Sequence, residues 1–266
     1  MSIHQSLISP TADARLEQAL RDKLARRAET VGCLGELESL AVLLGLVLRS
    51  LKPRLKHPQL VLFAGDHGMA VEGLSNPAST STAQRVEQAL AGQLPIAVFA
   101  RIQQIEMVVV DCGVSQRLAP NPHLLSRKIA HGTRNARLGQ AMTLEQAQAS
   151  MRVGMEIADA LPGNAVICAG LGVGSSEAAA MILARLSGQP LRDFVVSGAD
   201  MRQDVMAHHL VLLNGAHGRH KAATDPLEVL AAFGGFEIGV MAGVMLVAAS
   251  RRRLVARVRQ RRHCRL

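Results

Sequence analysis

The chain has no tryptophan, no tyrosine and only five phenylalanines in 266 residues. Aromatic platforms on which nucleic-acid bases stack are therefore scarce. Cysteine is sparse too: Cys33, Cys112, Cys168 and Cys264 form no CxxC pair and sit in apolar or terminal settings. They read as reduced thiols of a cytoplasmic protein, not as a disulfide framework or a metal knuckle. No uncharged apolar run reaches the roughly 18 residues of a membrane span. The opening "MSIHQSLISPTADARLEQ" lacks the basic-then-apolar pattern of a secretory signal. Internal repeats and low-complexity linkers are missing as well.

Arginine is plentiful but unevenly placed. Of the net charge of +9, eight units come from the arginines of "SRRRLVARVRQRRHCRL", residues 250–266. The body is thus close to neutral, and a basic end of this kind is expected to be solvated and disordered rather than a nucleic-acid site. A 48% hydrophobic content in 266 residues can bury one substantial core.

Four apolar runs of strand length end in polar or glycine-rich tips: "QLVLFAGDHG", "EMVVVDCGV", "NAVICAGLGVG" and "DFVVSGAD". Helical patterns lie before and between them. Leu16, Leu20 and Leu24 line one stripe, and "GCLGELESLAVLLGLVLRSLKP" is a more apolar helix stopped before Pro53. Gln84 to Gln104 is broken at Pro95. Thr143 and Gln146 form a capping box, and Asp225, Pro226 and Glu228 make a second helix start that Gly234 and Gly235 end. Unbroken apolar strands alternating with helices predict an α/β fold, a Rossmann-like parallel sheet covered on both faces with a small helical subdomain. We divide the chain into N-terminal helices (1–56), an α/β core (57–249) and a basic tail (250–266).

Ligands of such sheets sit beyond the carboxyl ends of the strands. Asp66, His67, Asp111, Asp200 and the loop Gly170, Gly172, Gly174 all fall there. The backbone from Gly172 and Val173 through Gly174, Ser175 and Ser176, at a helix start, would suit a phosphate; a tight turn with a serine cap is the plainer alternative. Ser175 stands where a dinucleotide fingerprint has its third glycine, and Asp200 is late for its acid, so a dinucleotide-binding protein is a weaker fit. No Walker lysine follows. Asp66 and His67 orient a substrate or simply hold their loop; one Asp-His pair makes no metal site. His208, His209, His217 and His220 are not expected to align, because Gly215 and Gly218 interrupt their helix. Glu237 reads as a helix-start charge with a capping role.

In order along the chain, these segments resemble one family. "GCLGELESLA", "FAGDHGMAVEGLS", "STAQRV", "VVVDCGV", "HGTRNARLGQAMTLEQA", "AGLGVGSSEAAA" and "DPLEVLAAFGGFEIGVMAGVML" are similar to seven segments of the nicotinate-nucleotide–dimethylbenzimidazole phosphoribosyltransferases of cobalamin lower-ligand synthesis. The resemblance implies transfer of phosphoribose from nicotinate mononucleotide to a benzimidazole, with no metal or redox cofactor and usually as a homodimer. It implies that the glycine loop holds the ribose 5′-phosphate, and that Thr82, Gln84, Asp66, His67 and Asp111 line the substrate pocket. A family lysine aligns with His209, making a fixed charge titratable. The family's loop glutamate is replaced by Gly170, and its Asn-Thr-Thr by Ser175, Ser176 and Glu177. The family continues past "MAGVML" into a segment carrying its general-base glutamate, where this chain has the arginine-rich stretch; Asp66 is the substitute base to consider. An active transferase and a catalytically inactive paralogue that binds a nucleotide, a benzimidazole or a partner both remain open.

Overall fold

The computed structural model describes residues 8–73, 80–195 and 203–258. Three of the four apolar runs are strands: β1 (Gln59–Gly65), β2 (Glu106–Gly113) and, after the short β3 (Leu124–Ser126), β4 (Ala165–Leu171). With β5 (Leu254–Arg257) they make one sheet in the order β3-β2-β1-β4-β5, every pair parallel. Chain connections run outward from β1 to β2 and β3, then reverse to β4 and β5. The reversal leaves a crevice beyond the tips of β1 and β4, where open α/β sheets bind ligands.

β1 is buried along its whole length, because helices cover both faces and leave no strand face for polar residues. Alternate side chains serve the two layers. Val61 and Phe63 pack with α5 (Leu144–Ala160) and α9 (Phe236–Ser250) through Ile157, Val240 and Val244. Leu60, Leu62 and Ala64 pack with α3 (Thr82–Leu90) and α4 (Pro95–Ile102). A further core joins α6 (Ser175–Ser187), α7 (Gln203–Arg219) and α8 (Pro226–Phe233) around Met181, Leu213 and Phe233. At the N-terminus α1 (Ala14–Val31) pairs with α2 (Leu37–Val47).

Helix starts follow the local chemistry. The Thr143–Gln146 capping box forms in full, and Asp225 caps α8 by accepting from Leu227 and Glu228. Pro95 opens α4 after Gly92, at φ 71°, has ended α3.

Three expectations change. The run "DFVVSGAD" is no strand where it is described: Leu191–Asp193 is a 3-10 turn, and Phe194 and Val195 pack into the α6–α8 core. Three apolar residues alone do not distinguish a buried turn from a strand. Asp200 lies outside the described residues. The described part of the tail is not disordered: Leu254, Val255 and Ala256 are strand-compatible and pair with β4. Its first arginines are tied down. Arg251 pairs with Asp159, Arg252 donates to the Pro10 carbonyl at 2.6 Å, and Arg253 donates to Ala158 and Leu161 at 3.1 and 2.8 Å. A cation there meets the negative end of α5. Finally, α7 runs unbroken through Gly215 and Gly218, and His217 and His220 pack against the Phe233 ring.

Candidate active site

At the tip of β1 the chain turns through Gly65, Asp66 and His67, and at the tip of β4 through Gly172, Val173 and Gly174 into α6. Gly172 sits so close to the Gly65 carbonyl that any side chain would collide with it. Gly174 is the N-cap of α6 at φ 91°, a left-handed conformation that strains a side chain, and its Cβ would lie 2.8 Å from that of His67. No side chain caps α6. The serines stand inside its first turn, so the expected serine cap gives way to a glycine one. The first N–H groups of a helix have no intrahelical acceptor and carry the positive end of its dipole. That of Val173 is taken by the buried Thr82 hydroxyl at 3.1 Å, which ties α3 to the turn.

Beneath the turn lies a group that local sequence did not reveal. His67 Nε2 is 2.7 Å from Glu237 Oε1, and the Ser175 hydroxyl donates to the same oxygen at 3.0 Å. His67 is 6% exposed and Glu237 1%. So short a contact requires one hydrogen between Nε2 and Oε1, since two lone pairs would repel, and with Glu237 ionised Nε2 carries it. Glu237 sits in the first turn of α9, yet it caps nothing. The expected capping role is thus replaced by a buried ion pair across the site. Glycines 65 and 235 make the space: side chains there would run into its carboxylate. Burial alone would lower the His67 pKa, but the charge and hydrogen bond of Glu237, helped by Glu177 and Asp66, raise it above the ordinary value.

Other expected residues are engaged in the scaffold. Asp66 Oδ2 accepts from the Ser115 amide and hydroxyl at 2.7 and 2.8 Å. Asp111, 3% exposed, accepts from the Val114 amide and pairs with Lys128 at 3.2 Å. Gln84 completes the cap of α3 through the Ser81 amide and is exposed. Ser176 is exposed on the first turn of α6. His209 is buried in α7, which packs on α6 and the 3-10 turn; no hydrogen bond or ion pair joins it to the glycine turn among the described residues. Gly170 is exposed at the tip of β4, and a Cβ there would touch only Met241 at 3.5 Å. The site therefore brings Asp66, His67, Thr82 and the turn together, adds Glu237, and leaves His209 on a neighbouring layer.

Residues 9–256 match a family model described as phosphoribosyltransferase. The nicotinate-nucleotide–dimethylbenzimidazole phosphoribosyltransferase of Variovorax paradoxus is 42% identical over 248 residues, 93% of this chain and 71% of that protein. Its namesake in Cupriavidus taiwanensis is 41% identical over 249 residues, 92% of this chain and 72% of the relative. Among solved structures, CobT from Thermus thermophilus aligns with a TM-score of 0.84 at 30% identity, over 92% of this chain and 74% of that one. With the sheet order, the switch-point crevice and the glycine turn already placed, these likenesses settle the lineage: the chain belongs to the nicotinate-nucleotide–dimethylbenzimidazole phosphoribosyltransferase family.

Proposed function

We propose that this chain moves phosphoribose from nicotinate mononucleotide to 5,6-dimethylbenzimidazole, giving α-ribazole 5′-phosphate and nicotinate in cobalamin biosynthesis. One observation carries the geometry of the reading: the uncapped start of α6 opens at the β1/β4 switch point beside Asp66 and His67. The 5′-phosphate is held by the backbone from Gly172 to Ser176, where the dipole and the N–H groups other than that of Val173, which Thr82 takes, favour an anion. The chemistry then needs little from the protein. Pyridinium leaves C1′ with the bonding pair and becomes neutral at its ring nitrogen, while an unprotonated benzimidazole nitrogen attacks the same carbon. The other benzimidazole nitrogen gives its proton to a base, and the site aligns the two rings.

Binding without efficient turnover is the second reading, and Gly170 favours it: an open glycine stands where the family carries a glutamate. One experiment separates the two. Chain and both substrates are incubated and product is followed by chromatography, with Gly170→Glu and a full-length relative alongside. A general base contributes about 10² to 10⁴-fold. We expect slow product formation by the chain, at least about a hundredfold below the relative, and a higher rate in Gly170→Glu. If calorimetry finds no affinity for nicotinate mononucleotide, the transferase reading fails, and if it finds none for dimethylbenzimidazole either, small-molecule binding fails with it. A homodimer also fits, since α2 exposes Leu37, Leu40 and Leu43 and α4 exposes Phe99 and Ile102, apolar surface a second copy would cover.

A further inference from the structure

The buried His67–Glu237 pair is joined to the turn by Ser175, and it has no duty in the chemistry above. Its arrangement is unusual in one respect. Both hydrogen bonds converge on Glu237 Oε1, while Oε2 is buried and has no hydrogen-bond partner among the described residues. A carboxylate is normally satisfied when it is taken out of water, so its charge here must be balanced chiefly by the imidazolium beside it.

We propose that Glu237 and His67 are positioning residues that set the charge beneath the phosphate turn, so that the turn accepts a phosphoryl dianion only while the pair holds its proton. The inference rests on the turn being the phosphate site. With His67 protonated, the pair is neutral, and Glu177 is the carboxylate left to oppose the dipole of α6. With His67 neutral, the carboxylate stands uncompensated one hydrogen bond from Ser175. A negative charge so close to the turn opposes a second one, the more so because Glu237 itself is out of water.

The groups facing His67 make the sign definite. They are Glu237 from α9, Glu177 from the first turn of α6 and Asp66 on its own segment, all acidic. Behind Glu237 lies Cys112 of β2, whose pKa burial pushes well up, with Glu237 and Asp111 adding to it, so it stays a neutral thiol. No cation among these takes over the proton's role. Ser175 gives its one hydroxyl hydrogen to Glu237 at 3.0 Å, and its oxygen also lies 3.3 Å from His67 Nε2, so the hydroxyl anchors the turn to the pair while the phosphate is left to backbone N–H groups and Ser176.

The test uses ribose 5-phosphate, which probes the turn without the transfer reaction. His67 is titrated in the whole chain by NMR with and without this ligand, and affinity is measured by calorimetry across pH 6 to 9, corrected for the ligand's own ionisation. We expect affinity to fall at least about tenfold as pH rises through the His67 midpoint, and the ligand to raise that midpoint. Glu237→Gln keeps the oxygen that accepts from Ser175 but removes the charge, and should make affinity nearly independent of pH. An unchanged His67 midpoint on ligand addition overturns the inference without any variant. So does a Glu237→Gln protein that folds and keeps the parent pH profile. Failure of the parent to bind ribose 5-phosphate at any pH would instead overturn the phosphate reading itself, and the inference with it.

Discussion

Glycine 174 decides most about the site at the scale of one residue. Its φ of 91° and its 2.8 Å approach to the Cβ of His67 leave no room for a branched side chain. The left-handed conformation alone costs a non-glycine residue about 1–2 kcal/mol. Gly174→Val is therefore expected to abolish nicotinate mononucleotide binding, read by calorimetry, while a far-ultraviolet spectrum near the parent's shows the sheet intact. Affinity equal to the parent's would remove the phosphate from this turn. The need for glycine here was legible in "GLGVGSS", where strand, turn and helix start coincide. Glu237 was not, because His67, Ser175 and Glu237 are far apart in sequence and no period relates them. The signal that could have found it is Gly235 two residues before it and Gly65 at the tip of β1: small residues there leave space for a carboxylate.

Between elements, the contact that sets the site is α5 against α9, since α9 delivers Glu237. Gly154 of α5 lies against the Val240 carbonyl, and Gly243 of α9 against that of Met151. Backbone meets backbone, and neither helix can give way as a flexible side chain would. Gly154→Val should lower stability by about 1–3 kcal/mol, the usual penalty of overpacking, seen as a lower urea midpoint. A midpoint unchanged from the parent would mean the helices can separate without loss. Much at this scale was legible in the sequence. β1, β2 and β4 stand out as apolar runs, and the helix-start residues Thr143 and Gln146, and Asp225 and Pro226, mark α5 and α8. The outer strands were not: β3 has three residues, and the apolar centre of β5 is hidden among arginines. Pairing with β2 and β4 makes them strands, and pairing is a property of the tertiary structure.

For the molecule as a whole, the His67–Glu237 pair links the tip of β1 to the start of α9, so its protonation bears on global stability. The folded His67 pKa is raised, while the unfolded one lies near about 6.5. The folded state thus binds the proton more tightly. This contribution is fully present below the unfolded value and is lost as pH rises through the folded one, at about 1.4 kcal/mol for each unit of difference. Urea midpoints should fall as pH rises above about 6.5 in the parent and fall less in His67→Asn. Equal slopes in the two proteins would show the pair to be thermodynamically silent.

β5 has one further consequence, which concerns how copies of the protein avoid one another. It occupies one end of the sheet, and a terminal strand offers unpaired amide and carbonyl groups to any strand that meets it. Arg252 and Arg253 lead into β5 and Arg257 ends it, so an approaching copy of the same strand would bring arginines against arginines. The arginines that flank β5 thus work against the addition of a second copy of the same strand at this end of the described sheet.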